Sequence, residues 1–187
     1  MPTNRKTVKT LGSSRVIRLT GEIDEEVANK VIDQLIKLDK KSGSDILLVI
    51  DSPGGDIEAT ISIYQIIKLL RCDVSTLALS NACSAAGVLL ACGADNKRMV
   101  MDHSIVMIHA ISQAMGEDYH GCLESELVSL NLSKTILIDI LSKHKIKNPE
   151  QFLKPEATYL SGKEAVEIGF ADHVVTSINE VFKITNI

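Results

Sequence analysis

The sequence predicts an α/β layered fold built on a mostly parallel sheet. Three observations carry that expectation. Short β-branched runs alternate with longer stretches of helical period. The run "DILLVI" is apolar without alternation, as a strand covered on both faces requires. Strand and helix patterns also alternate along the chain, the order that generates parallel sheets.

Each element has its own justification. "RVIRLTGEI" reads as a strand, and "DEEVANKVIDQLIKLDKK" sets Val27, Val31, Leu35 and Leu38 on one face of a helix that Asp24 can cap. After the buried strand comes the turn "DSPGGD", then a second helix, "IEATISIYQIIKLLR", and the strand "DVSTLALS". "SAAGVLLACGA" is a short helix, and "RMVM" and "SIVMIH" are short strands. A long amphipathic helix follows from about Cys122 to Lys143, then the helix "SGKEAVEIG" and two strands, "HVV" and "VFKI". In folds of this class reactive groups collect where strands end and loops begin.

Of the 187 residues, 45% are hydrophobic, which is enough to bury a sizeable core. Repeats, low-complexity tracts and Pro/Gly-rich linkers are absent from the sequence, so residues 15–187 are expected to form one domain behind a flexible segment, 1–14. A net charge of −4 and a 3% aromatic content argue against nucleic acid as a partner, because counterion release needs clustered Lys and Arg. Cys72, Cys83, Cys92 and Cys122 form no C-x-x-C pair or zinc spacing, so neither a metal site nor a disulfide framework is expected. They read as small buried hydrophobes in a reducing compartment. The opening "MPTNRKTVKTLGSSR" lacks a signal peptide's apolar segment, and no apolar run reaches the ~18 residues of a membrane span. A cytoplasmic protein, without membrane contact, is expected.

Three stretches carry chemistry. In "SNACSAAGVLLACGA", Ser84 stands among small residues between a predicted strand and a predicted helix. A nucleophile there could have its oxyanion stabilised by first-turn amides, whereas the ordinary reading of such a serine is a helix cap. In "DSPGGD", Gly54 and Gly55 leave a bare backbone where a peptide could lie, although Pro-Gly is also common turn chemistry. His109 ends the run "SIVMIH", a position suited to a general base or to a hydrogen-bonded structural imidazole.

Taken in order, "SPGGD", "NACSAAGVLLACGADNKR" and "MIH" resemble the Clp serine peptidase family, the self-compartmentalising proteolytic partners of ATP-driven unfoldases. "RVIRLTGEIDEEVANKVIDQLIKLD", "ATISIYQIIKLLRCDVST" and "YLSGKEAVEIGFADHV" extend the similarity over most of Ser14 to Val175. The resemblance implies a crotonase-like layered fold of repeated ββα units, with a handle helix in a region at about 112–147. It also implies Ser84 as nucleophile, His109 as its base, and an oxyanion hole from the backbone amides of Gly55 and Ala85. No metal or organic cofactor is implied. The implied assembly is a heptameric ring, stacked through the handle as a tetradecamer, that receives unfolded polypeptides from an AAA+ unfoldase.

This sequence departs from the family pattern at several positions. The family's third catalytic residue, an aspartate, falls four positions before Ser161, where this chain has Ala157. Glu156 is adjacent and is the candidate replacement, against the plain reading of a solvated loop charge. Ala85 stands where methionine is usual, Ala110 and Ile111 replace Gln-Pro, and "SQAMGEDYHG" replaces a glycine-rich segment. An Arg-Asp pair that helps ring contacts is missing. These departures leave open a catalytically weak structural or regulatory ring subunit. An acyl-CoA hydratase-like enzyme of the same broad fold is disfavoured by the pairing of Ser84 with His109.

Overall fold

Among the described residues, apolar β-forming runs become seven strands: β1 (Val16–Ile23), β2 (Ile46–Gly55), β3 (Val74–Cys83), β4 (Arg98–Met101), β5 (Ile105–Ile108), β6 (Thr158–Ser161) and β7 (His173–Val175). The computed structural model describes residues 14–111 and 123–187. Strands β1-β2-β3-β4-β7 lie side by side and are all parallel. As its unbroken apolar run requires, β2 is buried on both faces from Ile46 to Ile50.

Between the strands lie α1 (Glu25–Lys41), α2 (Ile57–Leu69), α3 (Ala85–Ala91), α4 (Leu123–Lys143), α5 (Gly162–Ile168) and α6 (Ile178–Ile184). Helix α1 starts where Asp24 Oδ1 accepts from the Val27 N–H at 2.7 Å, and it buries Val31, Leu35 and Leu38. Glu25 and Glu26 in its first turn and Lys40 and Lys41 in its last complement the helix dipole. One face of the sheet joins α1, α2, α3 and α5 in a core running from Ile17 to Ala171. The other face buries Leu47, Val49, Leu77 and Met99 beneath Val181 of α6. No helix among the described residues is long and apolar enough to cross a membrane.

Strand β3 forks the sheet. Its first part pairs with β4 (Thr76↔Arg98 to Ala78↔Val100), and its last part pairs with β5 (Asn81↔Ile105 to Cys83↔Met107). Buried Ser104 pins the fork: its Oγ donates to the carbonyl of Ala78 (2.9 Å) or Leu79 (3.1 Å) and accepts from the Met101 N–H (3.0 Å). Strand β6 then pairs antiparallel with β5.

Two elements differ from the sequence expectation. The run "VFKI" is the C-terminal half of α6, not a strand. Ser177 caps that helix by accepting from the Glu180 N–H, and the one-turn spacing of Val181 and Ile184 turns both toward the sheet. The short strand β6 was not anticipated, because its four residues run directly into the capping box of Ser161 and Glu164 that opens α5. Of the expected flexible segment 1–14, only Ser14 lies within the described residues, and of the expected handle region 112–147, residues 112–122 and Cys122 with them lie outside.

Candidate active site

Because β2, β3 and β5 run in the same direction, their C-terminal ends meet on one edge, and each end carries one of the three chemical stretches. Strand β2 ends in Gly54 and Gly55, β3 leads into Ser84, and β5 leads into His109. The Ser84 N–H donates to the Met107 carbonyl at 2.6 Å, so the serine sits beside the strand that delivers the imidazole. Ser84, His109, Gly55 and Ala85 line one cavity of about 390 Å³.

Ser84 is held in a conformation that L-residues rarely adopt, with φ of +53° and ψ of −122°. Such a backbone costs on the order of 1–3 kcal/mol and persists only where its surroundings enforce it. Ser84 occupies the position before α3 yet makes no side-chain capping bond. The ordinary cap reading of this serine therefore does not hold, since its side chain accepts no hydrogen bond from the amides of the helix. This is a strand-to-helix elbow without the flanking glycines of G-x-S-x-G. The room comes from the neighbouring strand. A Cβ on Gly54 (φ +100°) would lie 2.6 Å from the Cys83 carbonyl oxygen and 2.8 Å from Ser84 Cβ. The adjacent Cys83 is not a competing nucleophile, because burial pushes its thiol pKa up and keeps it protonated.

His109 is half-buried, and among the described residues no carboxylate forms a hydrogen bond or ion pair with it. Glu156 does not reach it: the residue is exposed and lies outside the cavity wall. Strands β5 and β6 pair as far as Ile108↔Thr158, and the pairing does not continue in register beyond them, because the Ala110 N–H donates to the Lys154 carbonyl at 2.7 Å. Ala157, at the position where the resemblance expects an orienting aspartate, is exposed and lies outside the cavity wall.

Sequence reasoning missed several residues of the wall. Asp56 and Glu58 enter it from the start of α2, and Ser129, Leu130, Ser133 and Leu137 enter from α4. The α4 residues share one helical face at spacings of one, four and eight, a signal that was legible in the sequence. Asp56 and Glu58 directly follow the glycine turn, whose approach to Ser84 brings them along.

A mostly parallel α/β sheet with its polar cavity at the carboxyl ends of the strands defines the class of protein. A model of the Clp protease family matches residues 3–178. The chain is also 36% identical over 168 residues to the ATP-dependent Clp protease proteolytic subunit of Carsonella ruddii (strain PV), covering 86% of this chain and 84% of that relative. The chain belongs to the Clp protease family.

Proposed function

We propose that this chain is a serine endopeptidase subunit with Ser84 as nucleophile and His109 as general base. The observation that carries the reading is a strained, uncapped Ser84 sharing one cavity with His109. Ser84 Oγ attacks the scissile carbonyl carbon while its proton passes to a ring nitrogen of His109. The amides of Gly55 and Ala85 receive the oxyanion. The C–N bond then breaks, the amine leaves with the proton from His109, and water hydrolyses the acyl-serine by the reverse proton route.

The Carsonella relative is a proteolytic subunit of an ATP-dependent protease, which supports an ATPase as partner; we take that partner to be an AAA+ unfoldase and the substrates to be unfolded polypeptides. We assign residues 15–187 to one peptidase domain, with the handle at about 112–147, working in the cytoplasm as a heptameric ring that stacks into a tetradecamer. Exposed Leu127, Val128 and Leu132 on α4 favour such stacking, since apolar side chains in a row gain from burial against a second copy.

One observation favours a second reading, a catalytically weak ring subunit: Ala157 stands where the orienting carboxylate would be, and Glu156 is exposed. A fluorophosphonate probe separates the two. Covalent labelling of Ser84, abolished in Ser84→Ala together with a loss of at least ~10³ in peptide hydrolysis, supports the peptidase. An assembled ring that takes no label supports the structural role.

A further inference from the structure

We infer that Glu58 makes the cavity selective for peptides with a lysine or arginine on the acyl side of the scissile bond; this rests on the reading of Ser84 as nucleophile. Among the described residues, the cavity wall carries two carboxylates, Asp56 and Glu58, and no lysine or arginine. Their situations differ. Asp56 Oδ1 accepts from the Ala59 N–H at 2.7 Å, so its charge is committed to the start of α2. Glu58 is exposed at the cavity's edge, and only its backbone carbonyl is engaged, accepting from Ser62 Oγ at 2.9 Å. Among the described residues its carboxylate has no hydrogen-bond or ion-pair partner.

The rest of the wall supplies what a basic side chain needs. Val88, Ile108 and Leu137 offer apolar surface to an aliphatic stem, and Ser129 and Ser133 add neutral hydroxyls. A side chain that lays its methylenes on such a wall and ends in a cation beside Glu58 satisfies both parts of the site. An acidic side chain meets the Glu58 charge there, and among the described lining residues no lysine or arginine compensates it.

The test uses three peptide aminomethylcoumarin amides that differ only in the residue before the leaving group: lysine, alanine or glutamate. For the wild-type ring, kcat/KM for the lysine peptide should exceed that for the glutamate peptide by about tenfold, an effect of the size expected for a partly exposed charge pair. Salt at 1 M should shrink the ratio, since the Debye length falls to ~3 Å. Glu58→Gln should bring it close to one, and Glu58→Lys should invert it. Each ratio is taken within one protein, so a loss of folded material cancels. Equal hydrolysis of all three peptides, or a preference that survives Glu58→Gln, overturns the inference and leaves the serine reading standing. Ser84→Ala protein provides an independent readout through fluorescence anisotropy of labelled lysine and glutamate peptides. Preferential binding of the lysine peptide without turnover in the wild type supports the charge selectivity and overturns the peptidase reading. Absence of both binding and turnover overturns the two together.

Discussion

The two ends of the parallel sheet are built on opposite principles. Where the strands begin, charged residues hold one another and nearby carbonyls. Arg15, before β1, donates to the carbonyls of Asp45 (2.9 Å) and Leu38 (2.8 Å). Lys97, before β4, reaches Asp45 Oδ2 (2.6 Å) and Asp73 Oδ2 (2.8 Å), the residues that precede β2 and β3. Arg98 donates from Nε to Oδ2 of Asp172, which precedes β7, at 2.9 Å. Burial alone would raise the Asp172 carboxyl, but the Arg98 hydrogen bonds outweigh it and hold its pKa below the ordinary value. Where β2, β3 and β5 end, the same sheet presents a bare glycine turn, a strained serine and, among the described residues, an imidazole without a carboxylate partner and a glutamate without a cation. Interactions that stabilise the fold gather at one end, and groups left uncommitted gather at the other, where a substrate can engage them.

The largest expected effect comes from completing the uncommitted end. Ala157→Asp restores the aspartate that the family pattern has at this position and should raise kcat/KM toward the ~10⁴-fold that an orienting carboxylate contributes in a serine triad. Peptide hydrolysis and the rate of fluorophosphonate labelling both measure it. An unchanged rate in a variant that melts like the wild type would mean that residue 157 does not face the imidazole.

Next in size is a break at the committed end. Arg98→Ala leaves Asp172 unpaired and withdraws donors from the carbonyls of Gly169 (2.7 Å) and His144 (3.0 Å). Denaturant unfolding should register a loss of about 3–5 kcal/mol. Replacing both partners, as in Arg98→Met with Asp172→Leu, should recover much of it, because no buried charge is then stranded.

A smaller effect joins the two ends. Ser104→Ala removes the acceptor of the Met101 N–H at the fork of β3 and should cost about 1–3 kcal/mol. It should also lower the labelling rate of Ser84 per folded molecule, whereas Arg98→Ala should leave that rate unaltered.

The smallest effect is a pH dependence. Burial lowers the His144 pKa below its ordinary 6.5, assisted by the Arg98 charge, and its buried Nε2 has no hydrogen-bond partner among the described residues. The folded state therefore favours the neutral ring. Its contribution is fully present above about 6.5 and is lost as pH falls through the lowered folded value, below which the dependence flattens. Melting temperatures between pH 8 and 5 should decline on that path, and His144→Gln should remove that part of the decline.

Much of this was legible in the sequence, for identifiable reasons. Periodicity fixed α1 because Val31, Leu35 and Leu38 recur at helical spacing, and the unbroken run of β2 announced burial on both faces. Ser84, His109 and the glycine turn could be singled out because each ends a predicted strand. Their meeting depends on β3 pairing with β4 and then with β5, a change of partner that no local pattern encodes. The strain at Ser84 was equally hidden. The room for it comes from Gly54 on the next strand, so the usual mark of flanking glycines is absent. In α6, β-branched residues chosen to pack on a sheet imitated a strand, and only the cap at Ser177 distinguished them.

The fork in β3 has a mechanical consequence. Beyond Ala78, where β3 parts from β4, roughly 20 Å of extended backbone runs on to Ser84, braced by β5 along Asn81 to Cys83 and by Ser52 of β2 against Ala82. The Ser84 hydroxyl is thus clamped from both sides at the tip of its strand. Its aim is set by those two local braces, and damage at the far end of the sheet reaches it only by way of them.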